Sequence, residues 1–199
     1  MPKKDNKSKL IHATDKLLKK NSLLSITIKD ITDTAGVSVG VFYNYFRSKE
    51  DIFKEVIKFF FKYSLDEIKK LKKEITGNNV RSEVKFKEFL INGIDKNWEN
   101  QFLNSDITMM SIKDEQFNKM MIDYSEQTIE LISDILVVIQ PKIKKKPIIT
   151  ATIIMNLIQN SNPVFSQLNS NSQKEIYIDE FVNIIYNICF EENCTYGYK

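Results

Sequence analysis

The sequence predicts an all-α protein: an N-terminal three-helix head containing a helix-turn-helix, joined by a long helix to a C-terminal helical body. Three observations carry this. Apolar residues recur at three- and four-residue steps along almost the whole chain, capping residues open the segments, and no run alternates with the period of a strand. Five glycines and four prolines in 199 residues also argue against an all-β or collagen-like chain.

Taken in order, Leu10, Ile11, Thr14, Leu17 and Leu18 form one face of a first helix, with lysines opposite. Thr27-x-x-Asp30 is a capping box that opens a short second helix ending at Thr34 or Ala35. Gly36 follows as a left-handed turn residue, and Ser38 caps a third helix over Val39–Phe46. Ser48-x-x-Asp51, a second box, opens a long fourth helix to about Lys73. Its apolar face is read as Ile52, Val56, Phe59, Phe60, Tyr63, Ile68 and Leu71. "TGNN" at 76–79 is the clearest break. Beyond it, helices are expected at 82–100, 102–109, 113–140, 147–161 or on past Pro163, and 173–191, the last opened by Ser172-x-x-Glu175. "PKIKKKP" at 141–147 is a basic loop. The chain thus divides into a head (1–47), a connecting helix (48–73) and a body (74–199).

Composition narrows the function. With 42% hydrophobic and 28% charged residues the chain is globular, and no apolar run is long enough to span a bilayer. The basic start "MPKKDNKSK" lacks a following apolar stretch, so no signal peptide is read and a cytoplasmic location is expected. Net charge is +3, but residues 1–73 hold 17 Lys and Arg against 9 Asp and Glu, while residues 74–199 hold 12 against 17. A basic head on an acidic body is the electrostatic footprint of a nucleic-acid binder, although lysine-rich helix surfaces also account for it. Cys189 and Cys194, with one distant histidine, His12, make no metal set, and no cofactor is expected. Cys189 reads as a small core residue. No nucleophile–base pair or carboxylate set accompanies His12, so catalysis is not expected.

The stretch from Thr27 to Phe53, "TIKDITDTAGVSVGVFYNYFRSKEDIF", carries the chemistry. Gly36-x-x-x-Gly40 lacks the Lys-Ser/Thr of a phosphate loop and has no strand before it. A helix-turn-helix fits instead. With Ile28, Ile31 and Ala35 on the inner face, Val37, Phe42 and Phe46 plug the corner. Gly40, Tyr43, Asn44 and Arg47 then turn outward at 100° per residue. Tyr43 becomes an exposed aromatic whose hydroxyl can donate to a phosphate.

These residues closely resemble the DNA-binding signature of the tetracycline-repressor (TetR) family of bacterial transcriptional regulators. The matching features are the T-x-x-x-I start, the A-G-V-S turn, the G-x-x-Y-x-Y-F helix and the S-K-E-x-I-F opening of the fourth helix. The resemblance spans about residues 8 to 57. It implies that Thr27, Tyr43 and Lys49 contact backbone phosphates and that Lys29 faces the duplex. Ser38, Val39, Gly40, Val41, Asn44 and Tyr45 would lie at base edges or the adjoining backbone. Ser22 stands where the family usually has glycine, and Thr32 where alanine is common. Val39 and Val41 favour apolar contact with thymine methyls, and Asn44 can read adenine, so an A·T-rich operator is expected.

The body is then expected to dimerise and to bind a ligand. Double-stranded DNA with a palindromic operator calls for a homodimer. Ile153, Leu157, Phe181, Ile184, Ile185 and Ile188 are interface candidates from the last two helices, with a monomer core as the alternative. Met109, Met110, Met120, Met121 and Met155, with Trp98, Phe102, Phe117 and Tyr124 near in sequence, suit either a core or an adaptable apolar pocket. The resemblance favours a pocket for a small-molecule effector, oriented by Asn156 and Gln159 or by Asp95 and Asn97. The expected function is a DNA-binding regulator, a repressor released by a largely apolar ligand. The alternative is an architectural nucleoid or division-control protein without an effector.

Overall fold

The computed structural model describes residues 3–76, 82–98, 102–139, 147–165, 167–168 and 170–190. Among these run nine α-helices and no strand: α1 (Lys3–Leu18), α2 (Ile28–Ala35), α3 (Val39–Tyr43), α4 (Lys49–Thr76), α5 (Ser82–Trp98), α6 (Leu103–Lys113), α7 (Glu115–Ile139), α8 (Pro147–Phe165) and α9 (Asn171–Phe190). Cys194, most of the 141–147 loop and the side chains of Asp95, Asn97 and Trp98 lie outside the described residues. The chain divides into two compact units, Met1–Leu65 with Glu99–Ser125, and Asp66–Trp98 with Glu126–Lys199.

In the first unit, local chemistry places each boundary. The Thr27 hydroxyl accepts from the Asp30 N–H while the Asp30 carboxylate accepts from the Thr27 N–H, a complete capping box. Gly36 ends α2 at φ 65°, the left-handed conformation that glycine adopts without penalty. Its N–H reaches the Asp33 carbonyl and the Val37 N–H reaches Thr32, the paired bonds of a Schellman turn. The Ser48 hydroxyl accepts from Asp51 N–H at the start of α4, but the Asp51 carboxylate turns to the Arg47 N–H, one residue earlier than a closed box. α3 ends at Tyr43, shorter than expected.

The core of this unit is built on Leu10, Leu18, Leu23, Ile31, Phe42 and Phe46, and it continues through Ile52, Phe53, Val56, Ile57 and Phe61 of α4. That corrects the expected face of α4: Phe59 and Tyr63 are exposed. In the run Phe59-Phe60-Phe61 periodicity alone cannot choose the inward ring. Stepping by four from Phe53 through Ile57 reaches Phe61, whose ring stacks on Tyr124 at 3.7 Å between centroids. Thr32 is buried, and its hydroxyl donates to the Lys29 carbonyl.

Two later boundaries also differ from the expected ones. α6 runs through Lys113, and Asp114 interrupts the helix by accepting from the Phe117 N–H as α7 begins. Asp114 also pairs with Lys54 of α4, and Lys54 holds its carboxyl below the usual range. α9 starts at Asn171, because the Ser170 hydroxyl, not that of Ser172, accepts from Gln173 N–H.

The second unit packs α5, α8 and α9 together. Phe86, Leu90, Leu136, Ala151, Ile154, Val182, Ile185 and Cys189 form its centre. Lys72 to Asp134 at 2.6 Å and Lys85 to Glu74 at 2.7 Å are surface ion pairs, each of modest value in water. Burial pushes the Cys189 thiol up to about 12, so it is an inert core sulfur and not a reactive thiolate.

Candidate nucleic-acid interface

The geometry of α3 separates its residues into two sets. Phe42 is wholly buried and Phe46 nearly so, their rings 5.7 Å apart. Lys7 of α1 lies over the Phe46 ring and pairs with Glu55 at 3.3 Å, tying α1 to this corner. On the other side Ser38, Val39, Gly40, Tyr43, Asn44 and Arg47 are exposed, and Val41 is half-buried. Tyr43 is 57% exposed, its ring set edge-on against Phe42 at 5.5 Å. A structural purpose accounts for Phe42 but leaves an aromatic presented to solvent one residue later. Tyr45 differs from its neighbours: it is half-buried and packs on the core.

Gly40 belongs to the same exposed set. A Cβ there would meet only the Ser38 oxygen, at an ordinary 3.8 Å, and its φ is not in the left-handed region. Nothing inside the chain therefore requires glycine at 40. An approaching molecule would, because a side chain at that point on the exposed face would hold it off.

Thr27, Lys29 and Lys49 are the other candidates of the head. Lys29 is exposed in the first turn of α2. Helix geometry leaves the Ile28 and Lys29 N–H groups without intrahelical acceptors, so the start of α2 presents donors and a positive dipole end to an anion. Thr27 is exposed, but its hydroxyl and its N–H both donate to Asp30, at 2.6 and 2.8 Å. Those bonds hold the Asp30 carboxyl below its ordinary range. The Lys49 ammonium, half-buried, donates to the carbonyls of Leu24 and Ile26 at 3.1 and 3.0 Å. One of its three protons is left for another acceptor.

The remaining candidates fall into separate places. Phe102, Met109, Met110, Phe117, Met120, Met121 and Tyr124 belong to the first unit, where all but Phe102 join the core cluster that holds Phe42 and Phe53. Phe117 lies 6.0 Å from Phe53. Met155, Asn156 and Gln159 belong to the second unit; Met155 is buried, Asn156 and Gln159 are exposed, and the Asn156 amide donates to the Thr152 carbonyl. The expected pocket residues are thus divided between the two units. Of the interface candidates, Phe181 and Ile185 are buried inside their own unit and Leu157 is half-buried, whereas Ile153, Ile184 and Ile188 point outward, 47%, 52% and 40% exposed. Asp106 and the exposed Leu24 do not stand out in the sequence; neither carries a local signal.

Residues 10–56 match the model of the bacterial regulatory proteins of the tetR family. No curated protein sequence matches the chain. Among solved structures, the fold is similar to that of a TetR transcription regulator from Haloarcula marismortui, with TM-score 0.71 and 12% identity over 94% of this chain and 97% of that one. It is similar also to the reduced form of NemR from E. coli, with TM-score 0.68 and 18% identity over 92% and 96%. A regulator of the TetR/AcrR family from Thermobifida fusca gives TM-score 0.66 and 14% identity over 92% and 97%. At these identities the likeness is one of fold. The head, residues 10–56, is thus what the chain has in common with the tetR family of bacterial regulatory proteins, and the nine described helices share the fold of these regulators.

Proposed function

We propose that the protein is a sequence-specific DNA-binding transcriptional regulator. In this reading it is a homodimeric repressor that leaves a palindromic operator when a small, largely apolar ligand binds. The observation that carries the DNA reading is the outward set of α3, with Tyr43, Asn44, Val39 and Gly40 exposed on a basic head while Phe42 alongside is sealed in the core. Tyr43 and the start of α2 suit phosphates, which set position; Val39, Val41 and Asn44 suit the apolar and adenine edges of A·T pairs. The exposed isoleucines of α8 and α9 support a partner subunit. A ligand would lower DNA affinity by as much as it prefers the conformer that binds DNA less well. The methionine-rich packing around Phe117 and Tyr124 suits an adaptable apolar site.

Selection of bound duplexes from a random pool tests this reading. It should yield a palindrome rich in A·T, with half-sites one helical turn apart. On that duplex, Tyr43→Phe should weaken binding roughly tenfold, without changing sequence preference or melting temperature, through loss of one phosphate bond per subunit. Recovery of duplexes with no shared sequence would favour an architectural role, and a pool dominated by G·C steps would overturn the A·T reading.

A further inference from the structure

Asp106 takes no part in the face just described, yet it is the one charged side chain fully buried among the described residues, 3% exposed. A carboxyl group is costly to bury unless donors meet its oxygens. Here both are met from far along the chain: Ser22 Oγ donates to Oδ1 at 2.7 Å and the Leu23 N–H donates to Oδ2 at 2.8 Å. Asp106 stands in the first turn of α6, and its donors lie in the linker between α1 and α2, within the same compact unit.

That linker is bonded at almost every step. Ser22 Oγ also accepts from the Leu24 N–H at 3.2 Å. The Ser22 carbonyl accepts from the N–H and the hydroxyl of Ser25, at 3.0 and 2.8 Å. Leu24 and Ile26 give their carbonyls to Lys49, and Thr27 then caps α2. The linker is therefore gripped from two sides: α6 supplies a carboxylate for its donors, and α4 supplies an ammonium for its acceptors.

We propose that Asp106 is a positioning residue for DNA binding: from α6 it fixes the Ser22–Thr27 linker, and through it the start of α2 that faces phosphate. The proposal rests on the DNA-binding reading above. Hydrogen bonds of 2.7–2.8 Å to a fixed carboxylate do not survive a displacement of about 1 Å, so a shift of α6 would release the linker. Ser22, where the family pattern has glycine, supplies the hydroxyl that makes the grip bidentate.

Three variants test it: Asp106→Ala, Ser22→Ala and Asp106→Asn. The Asn side chain keeps an acceptor for Leu23 N–H, and its NH₂ can donate to Ser22, whose hydroxyl accepts equally well. Binding is read by anisotropy on the duplex selected by the wild-type protein, below every variant's melting temperature, and linker order by amide exchange of Leu23 and Leu24 without DNA. Both alanine variants should lose protection at these amides and bind about tenfold more weakly, while Asp106→Asn restores both readouts. Should Asp106→Ala fail to fold, Ser22→Ala, which removes one hydroxyl, carries the test. Folded alanine variants that bind with wild-type affinity would overturn the proposal and leave the DNA reading intact. A wild-type protein that retains no duplex from the pool would overturn both, with the exchange data still reporting on the linker.

Discussion

Ile184→Glu should convert the proposed dimer to monomers and weaken operator binding by at least about a thousandfold. The size follows from the two-site nature of the complex. Specific affinities are typically about 10⁻⁸–10⁻¹¹ M, while binding without sequence selection gives about 10⁻⁴–10⁻⁶ M, and one short recognition helix reads too few base pairs to hold a half-site alone. Ile184 is half exposed on α9, so its replacement leaves the unit's own core, Val182, Ile185 and Cys189, untouched. Asp179 and Glu180 lie just before it. A glutamate there would therefore bring like charges together across a two-fold contact as well as remove apolar area. Sedimentation or light scattering gives the mass, and anisotropy gives the affinity. Ile112→Glu, at an 81% exposed position of α6, serves as a control that should leave the mass unchanged. A variant at 184 that remains dimeric with unaltered affinity would remove α9 from the interface.

The head is legible in the sequence because what shapes it is local. The Thr27 box, the left-handed Gly36 and the Ser38 cap are each set by residues within five positions of one another, and the outward turn of Tyr43 follows once Phe42 is placed inside. Precision falls where three-dimensional packing decides. Among three consecutive phenylalanines in α4, a step from Val56 picks Phe59 or Phe60 and a step from Ile57 picks Phe61; packing buries Phe61, which stacks on Tyr124. Residues 148–158 read as apolar nearly all round and α9 carries a broad apolar face, so the sequence does not divide Phe181 and Ile185, which are buried, from Ile153 and Ile184, which are not.

Position in the chain also does not show which unit a segment joins. Met109, Met110, Met120 and Met121 sit mid-sequence, which suggests a body pocket that would also hold Met155. The fold brings residues 99–125 into the unit of the helix-turn-helix, and these methionines pack on its core. Asp106 is silent in the sequence for the same reason. An aspartate in the first turn of a helix is ordinary and suggests only a favourable dipole interaction; its bonds to Ser22 and Leu23 span more than 80 residues.

Lys49→Ala carries the second large expected effect, and two roles of one ammonium can be separated in it. The resemblance places Lys49 on a phosphate, whereas the structure gives two of its protons to the Leu24 and Ile26 carbonyls. The roles are compatible, since a tetrahedral ammonium gripping two carbonyls aims its third proton in a fixed direction. Removing it should weaken operator binding about a hundredfold for a dimer, taking roughly tenfold per subunit for a charged hydrogen bond. The plot of log affinity against log salt should flatten by about 0.9 for each phosphate no longer neutralised, hence about 1.8 per dimer. Lys49→Arg discriminates between the roles. Its planar guanidinium keeps the charge but cannot reproduce the same grip on two carbonyls, so it should restore the salt slope while recovering only part of the affinity. Reduced affinity with an unchanged slope in Lys49→Ala would withdraw Lys49 from the phosphate-binding set, and its effect on DNA would then run entirely through the linker that Asp106 holds from the other side.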